Sequence, residues 1–261
     1  MDKRRMCPNC RAFITTDDKV CPYCDVKVGP KAVDARPGGA ILGGLIPQAR
    51  FTTVMILVIN FALFGVDKLA PGSPLKEYGA SVPWPYLHGE WWRLVTAGFL
   101  HGNLIHILMN SLALYSVGAE VEALCGTSRL IVFYFVSTVT GFLLSSITGH
   151  SSVGSSAAIF GLIGAMLAFG FTDKSSLGSM VKAHYGQWVI FALVLSFIPG
   201  VDIFAHIGGL AGGFVTFLIL GMPRARLMWK EPVIRYSAFV CLGLTALCLG
   251  RLVLAVLRTP A

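Results

Sequence analysis

Seven apolar segments, at about residues 51–66, 103–119, 130–148, 156–172, 185–200, 203–221 and 236–257, constrain this chain more than anything else in it. Crossing the hydrocarbon core of a bilayer takes roughly 20 apolar residues in a helix, with about 17 as the lower end, so several segments are near the minimum. In hydrocarbon each backbone N–H and C=O must find its partner within the segment, which makes such a run a helix. With 55% hydrophobic and 13% charged residues over 261 positions, the chain is too apolar for a soluble domain of its size. The expected fold class is an all-α polytopic membrane protein. Arg251 interrupts the last segment, but close enough to its end for the guanidinium to reach the interface. Lys3, Arg4 and Arg5 are followed by a polar stretch, so no secretory signal peptide is expected and the first segment stays as an anchor.

The basic residues orient the helices. Seven spans place sixteen of the 21 Lys and Arg on the side of the N-terminus, leaving only Lys68, Lys76, Arg93, Arg251 and Arg258 on the other. By the positive-inside rule the N-terminus is cytoplasmic and the C-terminus outside. The net charge of +8 then records this loop bias and is no sign of nucleic-acid binding. The loop at 67–100 lies outside, with Trp84, Trp91 and Trp92 suited to the membrane interface.

Ahead of the first span, Cys7-Pro8-Asn9-Cys10 and Cys21-Pro22-Tyr23-Cys24 form two Cys-x-x-Cys knuckles. Four thiolates paired in this way suit a tetrahedral zinc ion, each knuckle offering two sulfurs and the residues between forming a short hairpin. Disulfides are the alternative, disfavoured in a reducing cytoplasm. Residues 1–28 thus read as a small structural zinc ribbon with a possible protein partner, and 29–50, rich in Gly and Pro, as a linker.

The polar residues inside the apolar segments carry the functional signal. Ser156 alone reads as a hydroxyl bonded to its own helix, and a lone His206 as a helix-packing residue. Topology changes the weighing, because the second, fourth and sixth segments all start on the outer side. His106 and Asn110, four residues apart on one helix face, then lie at the depth of Ser156 and His206, with His101 just before them. Ala157, Gly161 and Ala165 on the fourth segment and Gly209 and Gly213 on the sixth form small-residue ladders that let two backbones approach. A histidine beside a serine can take its proton during attack on a carbonyl, and His106, Asn110 and the Ser156 N–H are candidate donors to the oxyanion. Asp202, four residues before His206, could orient its ring, but reads better as a solvated loop charge.

These residues resemble the rhomboid intramembrane serine proteases. Glu90-Trp91-Trp92-Arg93 looks like that family's first-loop Trp-Arg motif, and the run from His101 through His106 to Asn110 like its second-helix signature. Gly154-Ser155-Ser156 is similar to the nucleophile motif, and Ala205-His206-Ile207-Gly208-Gly209 to the sixth-helix histidine motif. The resemblance implies a Ser156–His206 dyad with Phe160 stacked on His206, oxyanion contacts from His106 and Asn110, and support from His101, Trp92 and Arg93. It implies a six-helix rhomboid-like core over 51–221 with an outward-opening aqueous cavity, and helix five, with Trp188 and Phe191, beside the entry for a transmembrane substrate. The seventh helix, in residues 222–261, and the ribbon lie outside that core. Where the family motif most often has glycine after the nucleophile, this chain has Ala157, whose methyl could crowd the junction of helices four and six. No catalytic cofactor is implied, and the expected location is the inner membrane of a prokaryotic cell. A non-proteolytic relative that binds membrane clients is the alternative. A small transporter is disfavoured by the lack of paired carboxylates and inverted repeats.

Overall fold

The computed structural model describes residues 4–7, 10, 13–15, 18–28, 50–223 and 230–258. The chain divides into two compact units, residues 1–48 and 49–261. The linker reading of 29–50 falls almost wholly outside the described residues.

In the first unit, strands β1 (Arg4–Met6) and β2 (Phe13–Thr15) pair antiparallel, Arg5 facing Ile14. The expected hairpin between the knuckles is differently placed. Cys7 and Cys10 lie between β1 and β2, and the second knuckle is bracketed by a bridge from Val20 to Lys27. Each pair of cysteines therefore lies between paired segments, Cys7 and Cys10 between β1 and β2, and Cys21 and Cys24 within the Val20–Lys27 bridge. Among the described residues Cys7 and Cys21 are buried with Ile14 and Val28, a core of few side chains.

The second unit contains seven long helices among the described residues: α1 (Phe51–Leu69), α2 (Leu104–Cys125), α3 (Thr127–Ile147), α4 (Ser156–Thr172), α5 (Ser176–Leu195), α6 (Ile203–Leu220) and α7 (Glu231–Arg258). Five of them, α1, α2, α3, α6 and α7, are long and apolar enough to cross a membrane, and α4 is a shorter apolar helix of 17 residues. The protein is thus an integral, multi-pass membrane protein. The largest departure from expectation is α5, which begins nine residues before 185 and takes in Lys182 and His184. Its start is set by a local turn in which the Asp173 carboxylate accepts from the Ser175 N–H and the Ser175 hydroxyl from the Gly178 N–H. Helix α2 runs to Cys125, beyond the expected end at 119, because Glu122 has partners. Its buried carboxylate accepts from the N–H groups of Thr52 and Thr53 and the hydroxyls of Thr53 and Thr127, tying down the N-terminus of α1.

Helices α3, α4 and α6 form the centre. The ladders meet as their spacing requires: Gly209 lies against the Ala157 carbonyl and Gly213 against that of Gly161, leaving no room for side chains. The Ala157 methyl does not force α4 from α6. It points to α3, where a Cβ on Gly141 would fall 2.7 Å from it, and is fully buried with Ala97, Phe142 and Ala205. The glycine at 141 supplies the space that the alanine at 157 takes. Helix α7 is continuous through Arg251 and packs on α3 through Ala238 and Cys241 beside Val132. At its start Glu231 forms a bidentate pair with buried Arg129, which also donates to the Gly221 carbonyl, so α3, α6 and α7 are joined at one point.

Candidate functional site

Two side chains cap the helices that carry the candidate residues. The Asn103 side chain accepts from the His106 N–H at the start of α2. Asp202 accepts from the N–H groups of Phe204 and Ala205 at the start of α6, and its other oxygen accepts from the Ser145 hydroxyl. Asp202 is therefore a helix cap joined to α3, neither a solvated loop charge nor a group spent on the His206 ring. No side chain caps α4, whose first residue is Ser156, so its leading N–H groups keep the partial positive charge of a helix start.

The segment before Ser156 is held by the first loop. Ser81 and Ser152 exchange backbone hydrogen bonds of 3.0 and 3.1 Å, and the Gly154 N–H donates to the Ala97 carbonyl at 2.9 Å. Arg93 braces that loop from within. Its Nε donates to Glu90 at 2.6 Å and one terminal nitrogen to the carbonyls of Glu77 and Ala80, while the Thr96 hydroxyl donates to the Gly79 carbonyl. Trp92 packs against the main core, its indole nitrogen buried. The hydrogen bonds of Arg93 thus run within the first loop, to Glu77, Ala80 and Glu90.

Two of the sequence-predicted groups, His106 and Asn110, come together around Gly154, two residues before Ser156. Gly154 has φ +133°, a conformation that side chains disfavour, and a Cβ there would lie 2.8 Å from the His106 ring and 3.7 Å from the Asn110 amide nitrogen. His106 Nδ1 accepts a long hydrogen bond, 3.5 Å, from the Gly102 N–H. That assignment puts the ring proton on Nε2, the nitrogen directed at Gly154. Asn110 donates one amide hydrogen to the His106 carbonyl, which leaves the second. One turn beyond Ser156, the Phe160 ring stacks on His206 at 4.0 Å and 13°. Ser155 is fully buried with its hydroxyl 3.4 Å from His101 Nε2, whereas Ser156 is partly exposed. Sequence reasoning missed Ser196: its hydroxyl is 2.6 Å from His206 Nδ1. A serine near the end of a span has no pattern that would single it out.

The second candidate centre is the cysteine cluster. The four sulfurs lie within 4.8 Å of one another, with Cys7 to Cys24 and Cys10 to Cys21 both at 3.7 Å. A disulfide would need about 2.05 Å. Tetrahedral zinc with sulfurs at about 2.3 Å sets neighbouring sulfurs about 3.8 Å apart, so the donor set and its spacing fit that ion. Burial pushes the Cys21 thiol upward, a cost that a bound cation would offset.

The family model described as the Rhomboid domain matches residues 88–223, just over half of the chain. The chain is 32% identical to the rhomboid protease GluP of Bacillus subtilis (strain 168) over 69% of its own length and 36% of that protein. It is 40% identical to RHOMBOID-like protein 4 of Arabidopsis thaliana, over 50% of this chain and 34% of that one. With the Inactive RHOMBOID-like protein 8 of the same plant the identity is 34%, over 54% of this chain and 42% of the other. The chain therefore spans between about a third and two fifths of the length of these relatives.

Proposed function

The chain belongs to the rhomboid family, and on that footing we propose that it is an intramembrane serine endopeptidase acting on single-pass membrane proteins by a Ser156–His206 dyad. The observation that supports this reading is the stacking of His206 on Phe160, one turn along α4 from Ser156, together with the approach of His106 and Asn110 to Gly154, two residues before Ser156. In the reaction the Ser156 Oγ bonds to the carbonyl carbon of the scissile peptide while its proton passes to His206 Nε2. The oxyanion accepts from His106 Nε2–H, the remaining Asn110 N–H and the Ser156 backbone N–H at the uncapped start of α4. Collapse breaks the C–N bond, and His206 returns the proton to the leaving amine. Water then attacks the acyl-enzyme with His206 again as base, and Ser156 is regenerated. Ser155, turned inward to His101, supports this register.

The basic side of the chain, with the ribbon, faces the cytoplasm in this proposal, and the starts of α2, α4 and α6 open to the other side. Helix α5, with Phe191, Ile190 and Val194 exposed, borders the entry for the substrate helix. The ribbon holds a structural zinc ion and offers a surface to a protein partner. A second reading, a client-binding protein without protease activity, is favoured by the similarity to a relative named inactive. An activity-based fluorophosphonate separates the two. We expect covalent labelling of Ser156, located by mass spectrometry of the modified peptide, and a protein that stays unmodified under conditions that label a control serine protease supports the client-binding reading instead.

Gly154 offers a further check. The Gly154→Ala side chain would meet the His106 ring in a backbone conformation it disfavours, moving an oxyanion donor. The expected result is a kcat lower by roughly 10²-fold, the scale of losing one such donor. Wild-type kcat in a correctly folded Gly154→Ala protein would remove His106 from the oxyanion site.

A further inference from the structure

We propose that Ser196 is the positioning residue of His206, holding Nδ1 so that Nε2 is the nitrogen presented to Ser156; this rests on the dyad proposed above. The Ser196 hydroxyl lies 2.6 Å from His206 Nδ1, and both residues are buried, at 3% and 7% exposure. The position of Ser196 is itself set, because its N–H donates to the Leu193 carbonyl at 3.0 Å as the chain leaves α5. On the other side, the Asp202 cap holds the first turn of α6, and the His206 N–H donates to the Asp202 carbonyl at 3.3 Å.

The two contacts to the ring do different things. Stacking on Phe160 fixes the plane of the imidazole. It does not distinguish the ring from its half-turn about the Cβ–Cγ bond, which keeps the plane and exchanges Nε2 with Cε1. A hydrogen bond at Nδ1 does distinguish them, since the flipped ring would offer Ser196 a carbon. It also selects the tautomer. A base at Nε2 needs its lone pair there, hence the proton on Nδ1, and the Ser196 oxygen is placed to accept it. When the Ser156 proton arrives at Nε2 the imidazolium carries both protons, with Nδ1–H still donated to Ser196. When Nε2 passes its proton to the leaving amine, the same tautomer returns. Ser196 keeps its own proton throughout. The nearby acid cannot take this part, because the Asp202 carboxylate is occupied by Phe204, Ala205 and Ser145.

The test compares full-length wild type, Ser196→Ala, Ser196→Thr and Ser196→Val for cleavage of one reconstituted single-pass substrate, measuring kcat, KM and Tm. Thr and Val have the same shape and differ by the hydroxyl, so they decide the matter even if Ser196→Ala does not fold. Ser196→Ala and Ser196→Val are expected to lower kcat about 10- to 100-fold, the scale of losing the outer partner of a functional histidine, with KM unchanged. Ser196→Thr is expected to retain most of the wild-type kcat. Equal kcat in the Thr and Val proteins, or wild-type kcat in Ser196→Ala, overturns the inference while wild-type cleavage leaves the protease reading standing. A wild-type protein that neither cleaves nor takes the fluorophosphonate defeats that reading and this inference together.

Discussion

Ser156→Ala and His206→Ala are each expected to reduce cleavage of a single-pass substrate by roughly 10⁴-fold or more, to the background of an assay with purified protein, if the proposed dyad carries the reaction. Ser156→Ala removes one oxygen from a partly exposed side chain at the start of α4, so Tm should hold within a degree or two. His206→Ala is a heavier change. It takes a buried ring from the face of Phe160 and leaves the Ser196 hydroxyl without that partner, so a loss of stability is expected along with the loss of activity. The pair should also fail to add: with the proposed nucleophile gone, removing the proposed base should cost little more, because in the proposed dyad the two act in one step. Full cleavage by a Ser156→Ala protein would refute the dyad. So would retention of cleavage in His206→Ala, since no other imidazole stacks on Phe160.

The ribbon is expected to carry about one zinc per chain and to lose it in the Cys7→Ser, Cys10→Ser double variant. The argument is one of size. Among the described residues the apolar core of this unit is Ile14, Val28 and the cysteines themselves, too little to hold so short a chain folded. Zinc bound to four thiolates is worth about 10–16 kcal/mol of apparent free energy, which becomes folding free energy when the site exists only in the folded form. Removing the two thiolates of one knuckle leaves an ion with half its ligands. Metal analysis of both proteins gives the stoichiometry, and thiol-reactive dye gives the protection of buried Cys21. A preparation without metal whose Cys21 is as protected as in the wild type would show that the sulfurs, 3.7 Å apart, pack without an ion.

Much of this was legible beforehand because it depends on local rules. Apolar runs of spanning length become helices wherever they lie, and small residues at four-residue steps mark the faces that can touch, so the spacing pointed to the contact of α4 with α6 that the structure shows at Gly209 and Gly213. The Cys-x-x-Cys knuckles gave the donor set in the same way. Less legible were the helix limits. The start of α5 is decided by Asp173 and Ser175, polar residues that an apolar-run criterion discards, and the length of α2 by the burial of Glu122 under Thr52 and Thr53, about 70 residues away.

By itself, the sequence determined that the chain lies in a bilayer and that four thiols stand ready for one metal ion before the first span, and it marked the polar residues within the spans. Only the tertiary structure decided how those residues are held. The Ala157 methyl fits because Gly141 on another helix makes room for it, Gly154 is pinned by the carbonyl of Ala97, and the imidazole of His206 meets Ser196. Each of these contacts joins segments far apart in the chain or runs through a residue with no distinguishing pattern. Periodicity reports only the face on which a side chain lies. Which atom it meets depends on the packing of three helices against one another, and that is set by the whole bundle at once.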